Sequence, residues 1–248
     1  MRFQDRVVIV TGAAQGLGRE YARAFSDEGA SVVVADLDGP GARAAAAALP
    51  RALGVAVDVA DPAAVRAVVD AVLKAFGRID VLVNNAALFT AILPKRPLEE
   101  IDSESWDRVM AVNVKGSFLC VQAVTPAMKG QRYGKIVNVS SATALTGAPG
   151  FVHYVSSKAA VIGLTRALAR ELGPFGITVN AVAPGLTLSE GVRQIYSPDE
   201  IDSFLAPRSI KRPQVPADLV GTVLYLASDQ SQLVTGQLIV VDGGHYFL

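Results

Sequence analysis

The sequence predicts a doubly wound α/β fold, with a seven-stranded parallel sheet carrying helices on both faces. Three observations lead there. Short β-branched runs alternate with longer helical patterns along the chain, the strand runs are apolar throughout instead of at every second position, and a glycine cluster directly follows the first of them. A strand that is apolar along its whole length is covered on both faces, the condition of a parallel sheet between two helix layers. The chain of 248 residues lies near the upper limit for one hydrophobic core. No linker divides it, so residues 1–248 are read as one domain.

The elements follow in order. Val7 to Val10 reads as a buried strand, followed by the glycine turn and a helix from about Gly16 to Glu28. Ser31 to Asp36 is the second strand. The alanine-rich segment Ala42 to Leu49 is a good helix former that stops at Pro50. Val55 to Val57 is the third strand, after which Asp61 caps and Pro62 opens a helix running to Phe76. Ile79 to Val83 is the fourth strand and Ser103 to about Met128 one long helix. Lys135 to Ser140, a helix from Tyr154 to Leu172, and Ile177 to Ala181 continue the alternation. A helix near Ala217 to Ala227 and a strand near Leu238 to Val241 close it. Residues 186–216, with four prolines, form the one long irregular region, a candidate lid.

Composition narrows the function. Hydrophobic residues make up 51% and charged residues 19%, which excludes a disordered or nucleic-acid-coating chain. Lysine plus arginine (23) balances aspartate plus glutamate (23) without a basic stripe, so no nucleic-acid partner is expected. Cys120, the only cysteine, cannot form an intrachain disulfide and reads as a small core residue. No apolar run approaches the ~18 residues that span a bilayer, and Val7 to Val10 is too short for a signal peptide. A soluble, reducing, cytoplasmic setting with no membrane partner is expected. His153 and His245 form no metal-ligand cluster, and no metal is expected.

After the first strand comes Thr11-Gly12-Ala13-Ala14-Gln15-Gly16-Leu17-Gly18. Glycines there allow a tight turn and a close backbone approach to a pyrophosphate, which would sit at the positive end of the next helix. The spacing is not the common G-x-G-x-x-G. Its weight comes from context: a strand before, a helix after, and Asp36 at the tip of the second strand, where a carboxylate can accept both adenosine ribose hydroxyls. Asp36 would repel a 2′-phosphate, and Ala35-Asp36-Leu37-Asp38 offers no base, so the cofactor expected is NAD and not NADP. Asp58, with Val59 after it, either caps the Asp61-Pro62 turn or lies along an adenine.

Tyr154 and Lys158 are four residues apart and share one helix face. A phenol titrates near 10, too high for a base at neutral pH, and two nearby positive charges, the lysine and a nicotinamide cation, would favour phenolate. His153, one position earlier, is about 100° around the helix and should face elsewhere.

With these residues in view, the chain resembles the short-chain dehydrogenase/reductase family over its whole length. The resemblance rests on Thr11 to Gly18, Asn84-Asn85-Ala86, Asn113, Ser141, Tyr154-Val155-Ser156-Ser157-Lys158, Asn180 to Gly185, and Val241-Asp242-Gly243-Gly244. Ser141 precedes Tyr154 by 13 residues, the family's spacing, whereas Ser140 does not. The resemblance implies a Rossmann-like fold and four roles: Tyr154 exchanges the substrate proton, Ser141 orients the substrate oxygen, Lys158 lowers the tyrosine pKa and holds the nicotinamide ribose, and Asn113 anchors a water linking Lys158 to solvent. It also places Gly12, Gln15, Gly16, Leu17, Gly18 and Asn85 along the cofactor, with Pro184 and Gly185 flanking the nicotinamide. Two departures stand out. Ala87 replaces the family's usual glycine after Asn-Asn-Ala, and the carboxamide contact falls to either Thr187 or Ser189.

Leu188, Ile195, Tyr196, Ile201, Phe204 and Leu205 give the lid region an apolar character suited to a hydrophobic secondary alcohol and its ketone. The segment Ala159 to Leu164 is apolar on more than one helix face, and the resemblance implies a homotetramer or homodimer. The reading is an NAD-dependent alcohol dehydrogenase. Its rivals are a 3-oxoacyl thioester reductase, whose NADPH preference would sit poorly with Asp36, and a non-catalytic NAD-binding protein.

Overall fold

The computed structural model describes residues 1–247. Strands β1 (Val7–Thr11), β2 (Ser31–Asp36), β3 (Ala52–Ala56), β4 (Val81–Asn84), β5 (Gly134–Val139), β6 (Ile177–Pro184) and β7 (Leu238–Val241) form one sheet. Its order is β3-β2-β1-β4-β5-β6-β7 and every pairing is parallel. The chain winds outward from β1 to β3 and then returns to start again at β4, so the strand order reverses between β1 and β4. Ligands of such sheets bind outside the strand C-termini at that reversal.

Helices α1 (Gly16–Asp27), α2 (Gly39–Ala47), α3 (Pro62–Phe76), α4 (Ser103–Met110), α5 (Ser117–Gln131), α6 (Thr143–Thr146), α7 (Val152–Leu172), α8 (Glu190–Arg193), α9 (Pro198–Leu205) and α10 (Ala217–Ala227) complete the chain. The continuous apolar strands have the predicted cause. Along β1, Val8 and Val10 pack with Tyr21, Phe25 and Leu219 on one side, while Val7 and Ile9 pack with Val69, Val124 and Leu172 on the other. Each face of the sheet therefore has its own core.

Local chemistry sets the helix ends. Asp38, Asp61 and Asp102 accept backbone N–H groups at the starts of α2, α3 and α4. The helix read as Ala42 to Leu49 begins earlier, at Gly39, because Asp38 caps it. The third strand begins at Ala52 instead of Val55, since Val32 to Asp36 pairs with it from there. The helix read as one element over Ser103 to Met128 is two, separated by a π-helical turn over Ala111–Gly116 that contains Asn113. Residues 186–216 are not irregular throughout: α8 lies there, and α9 is started by a capping box between Ser197 and Glu200.

At the N-terminal edge of the sheet lies a charged cluster. The Asp80 carboxylate, completely buried, accepts from Arg78 Nη2 (2.7 Å) and Nε (2.8 Å), Arg6 Nη1 (3.1 Å) and the Val7 amide (2.9 Å). Arg6 also reaches Asp229 (3.3 Å) and lies over the Tyr133 ring, whose hydroxyl donates to Asp229 (2.9 Å).

Candidate active site

The C-terminal edge is built differently. The β1–α1 turn passes through Gly12 at φ +63°, a left-handed conformation costly for other residues, and a Cβ there would come within 2.8 Å of the Ala86 Cα. Asn85 fixes this turn by donating from Nδ2 to the carbonyls of Thr11 (3.0 Å) and Gly12 (2.9 Å). The side chain of Gln15, at the N-cap of α1, makes no capping bond, in contrast to the capped starts of α2, α3 and α4. Uncapped N–H groups at the positive end of a helix suit a phosphate. A Cβ on Gly16 would meet nothing nearer than Ser189 Cβ at 3.7 Å, so that side of the turn is open. Asp36 stands at the tip of β2. Its Oδ2 accepts from the Ala14 amide (2.9 Å) and its Oδ1 from the Asp38 amide (3.0 Å), which leaves each oxygen capacity for a further donor. These features fit a dinucleotide cofactor.

Leu17, Asn85, Ser141, Tyr154, Lys158, Pro184, Gly185, Thr187 and Ser189 all line one cavity of about 480 Å³. Its remaining wall is largely apolar and aromatic: Phe89, Phe151, Val192, Tyr196 and Phe204. Of the lid residues singled out in the sequence, Tyr196 and Phe204 reach the cavity and stack edge to face (5.5 Å), while Ile195 is exposed. Gly12, Gln15, Gly16, Gly18 and Asp36 lie outside this wall, continuing from Leu17 along the strand tips.

Ser141 has a defined donor direction. Its Oγ accepts from Thr143 Oγ1 (2.9 Å) and the Thr143 amide (3.2 Å), so its own proton remains free to donate. Tyr154 packs between Phe89 and Phe151, with ring centroids 5.4 and 5.8 Å away. This apolar burial pushes the phenol up to about 12; the Ser141 hydroxyl beside it pulls it partly back, and Tyr196 adds a smaller upward effect. Lys158 is not among the groups that shift the phenol. The Lys158 Nζ lies 5.8 Å from the Tyr154 ring and donates to the Val139 carbonyl (2.8 Å), and burial pushes the lysine itself down to about 8. Desolvation thus favours the neutral form of both groups.

Asn113 lies behind the wall. Its Oδ1 accepts from the Leu88 amide (2.8 Å), its Nδ2 donates to Ser157 Oγ (3.0 Å), and its carbonyl accepts from Ser117 Oγ (3.0 Å). Its side chain is a brace between the β4–α4 loop and α7. Asp58 is exposed and caps its own turn through the Ala60 amide (2.9 Å), while Val59 is buried against Gly116; neither joins the cavity. Thr187 is held by its Oγ1 donating to the Gly185 carbonyl (3.0 Å), and Ser189 begins α8. His153 lines a separate small cavity. Thr143, Phe89, Phe151, Lys95 and Arg208 belong to the site or its support without having been singled out from the sequence, and His245, read there only for metal binding, also lines the cavity. Among the described residues no cluster of His, Cys, Asp and Glu could hold a metal ion, and no helix is long and apolar enough to cross a membrane.

Comparison with known proteins identifies the family. A family model described as enoyl-(acyl carrier protein) reductase matches residues 12–246. The chain is 43% identical over 249 residues, covering 98% of both chains, to the (2S)-[(R)-hydroxy(phenyl)methyl]succinyl-CoA dehydrogenase subunit BbsD of Thauera aromatica. It is 39% identical to the 3-oxoacyl-[acyl-carrier-protein] reductase FabG of Thermotoga maritima, covering 98% of this chain and 99% of that one. A crystal structure described as ribose-5-phosphate isomerase from Brucella melitensis 16M superposes with a TM-score of 0.91 at 33% identity, covering 98% and 93% of the two chains. That name denotes a reaction without net redox change on the same scaffold, and a fold alone does not fix a reaction. The sequence match over nearly the whole chain does fix the family: this protein belongs to the short-chain dehydrogenase/reductases, oxidoreductases that work with a nicotinamide cofactor.

Proposed function

We propose that the protein is an NAD(H)-dependent oxidoreductase that interconverts a secondary alcohol and its ketone, with Tyr154 as the acid/base. The observation that carries this reading is the convergence of Ser141, Tyr154 and Lys158 on one cavity whose lining is otherwise largely apolar and aromatic. The nicotinamide, when bound, supplies or accepts the hydride. Everything else falls to the chain. Ser141 donates its free proton to the substrate oxygen and fixes its position. Tyr154, held protonated by burial, is ready to give its proton to a carbonyl oxygen. In the oxidation direction it must take one back, which requires positive charge to enter its surroundings. Lys158 sits one turn away to respond to that change. Tyr196 and Phe204 keep water from the reacting atoms. Asp36 supports NAD over NADP: its carboxylate, fixed by the Ala14 and Asp38 amides, would accept ribose hydroxyls and repel a 2′-phosphate.

The relatives' names favour one refinement. Both describe substrates that are thioesters, of coenzyme A or of acyl carrier protein. A hydroxyacyl or oxoacyl thioester presents the same secondary alcohol or ketone to Ser141 and Tyr154, so it is the second reading. A turnover screen at 340 nm with NAD and NADP, over secondary alcohols, hydroxysteroids and hydroxyacyl thioesters, tests both. Turnover with NAD is expected. Activity confined to NADP would overturn the cofactor assignment, and activity confined to thioesters would establish the second reading.

A further inference from the structure

The charged side chains on the cavity wall are all cations: Lys95, Lys158 and Arg208, with no carboxylate among them. Two are committed. Lys158 donates to the Val139 carbonyl, and Arg208 donates to the carbonyls of Leu186 (2.8 Å) and Arg212 (3.4 Å). Lys95 is not. Among the described residues its ammonium has neither a hydrogen bond nor an ion pair, and it rests 5.5 Å from the Phe151 ring centroid and 5.7 Å from that of Phe204. Glu200, the acid that feels its charge, is occupied by the Ser197 amide (2.8 Å) and hydroxyl (2.9 Å).

The backbone holds Lys95 there. The Arg96 amide donates to the Gly150 carbonyl (3.2 Å), and Gly150 adopts φ +77°. A Cβ at Gly150 would come within 2.8 Å of Lys95 Cβ, so a glycine is what lets the two segments close. The Phe151 ring neighbours both the ammonium (5.5 Å) and Tyr154, with the Phe151 and Tyr154 centroids 5.8 Å apart. A cation with no close ion pair, near two aromatic rings and with only the more distant Glu200 carboxylate to offset its charge, has attraction to offer an incoming anion.

We propose that Lys95 selects substrates bearing an anionic oxygen group, a carboxylate or a phosphate, a few carbons from the carbon that Tyr154 serves. The inference rests on the alcohol–ketone reading and narrows its substrate class. The anion comes either from a free hydroxy acid or from the phosphates of a thioester carrier.

Two measurements test it. The first compares kcat/KM for matched substrates, a neutral methyl ketone, the keto acid of the same skeleton and the 3-oxoacyl-CoA, in wild type, Lys95→Met and Lys95→Arg. The second measures calorimetric binding of an unreactive carboxylate and its neutral amide to NADH-loaded protein. Wild type should prefer an anionic substrate over the neutral one roughly 10- to 100-fold, mainly through KM, the size expected for a charged hydrogen bond. Lys95→Met should collapse that preference and Lys95→Arg restore most of it. Preference for the keto acid identifies a free acid, and preference for the CoA ester alone identifies the carrier. A wild type indifferent to the anion, or a preference that survives in Lys95→Met, overturns the proposal. So does an equal loss with every substrate, which would make Lys95 only a strap between Phe151 and Phe204. Carboxylate binding that depends on Lys95 without any turnover would uphold the anion site and sink the alcohol–ketone reading instead.

Discussion

The two edges of the sheet handle buried charge in opposite ways. At the N-terminal edge, Asp80 is fully buried but surrounded by two guanidinium groups and a backbone amide, all within 3.1 Å. At the C-terminal edge, Lys158 is 3% exposed with one neutral partner, and the phenol of Tyr154 faces a cavity. Paired charge ties elements together, here β1, β4 and the segment ahead of each. Charge left without a counter-ion is poised for something that arrives. Changes at the first edge should therefore act on stability, and changes at the second on ligand binding and turnover.

The largest separation is expected at Asp36. A 2′-phosphate loses the ribose hydrogen bond and meets a carboxylate, so wild type should favour NAD over NADP by ~10²–10⁴ in kcat/KM. Asp36→Ala should narrow that ratio, mainly by weakening NAD, with a smaller loss of stability than at Asp80, since it leaves only the Ala14 and Asp38 amides without their acceptor. Steady-state kinetics with both cofactors check it; an unchanged ratio would remove Asp36 from cofactor selection.

Asp80→Ala should do the reverse. It strands Arg6, Arg78 and the Val7 amide, and because both arginines keep some contact with water the expected loss is about 2–4 kcal/mol of folding stability. Turnover of the folded fraction should remain near wild type. Urea denaturation together with activity at low temperature separates the two effects, and a large fall in kcat would show that the edges are coupled.

The smallest effect is a slope. Lys158 titrates at about 8 in the fold against 10.5 unfolded, so between those values the unfolded chain binds more protons than the folded one. Stability should therefore rise with pH across this window, by at most about 1.4 kcal/mol per pH unit from this group. Tyr154, raised from 10 to about 12, contributes the opposite slope, and only above pH 10. Denaturation of ligand-free protein at pH 7.5, 8.5 and 9.5 should show the rise in wild type and its loss in Lys158→Met.

Much of this was legible in the sequence, for local reasons. Valine runs announce strands covered on both faces, and a glycine turn between strand and helix announces the nucleotide end, because each depends on neighbours in the chain. Ser141, Tyr154 and Lys158, singled out through the resemblance, come together on one cavity. What escaped depends on distant parts of the chain or on burial. The approach of Lys95 to Gly150 spans two loops, and the π turn that carries Asn113 leaves no mark on hydrophobic periodicity. The upward shift of Tyr154 comes from burial, and Phe89 and Phe151, which pack on its ring, are not marked by spacing. Two features were local and still hidden. Ser197-Pro198-Asp199-Glu200 is a capping box whose proline suits a first helical turn, but among four prolines it resembles a loop. Thr143 sits two residues after Ser141, yet only the turn between them shows that it directs the Ser141 proton.

We propose that Tyr154 is an acid/base whose proton affinity is held high by burial and lowered by the positive charge of a bound nicotinamide. Ultraviolet titration at 295 nm, which counts tyrosinate, tests it directly in ligand-free and NAD-saturated protein, with Tyr154→Phe as the control. The account predicts one tyrosine ionising near 12 without NAD and roughly 3 pH units lower with it, about 4 kcal/mol of differential interaction, and no such shift in the variant. Identical titrations with and without NAD, or a shift that persists in Tyr154→Phe, would contradict it.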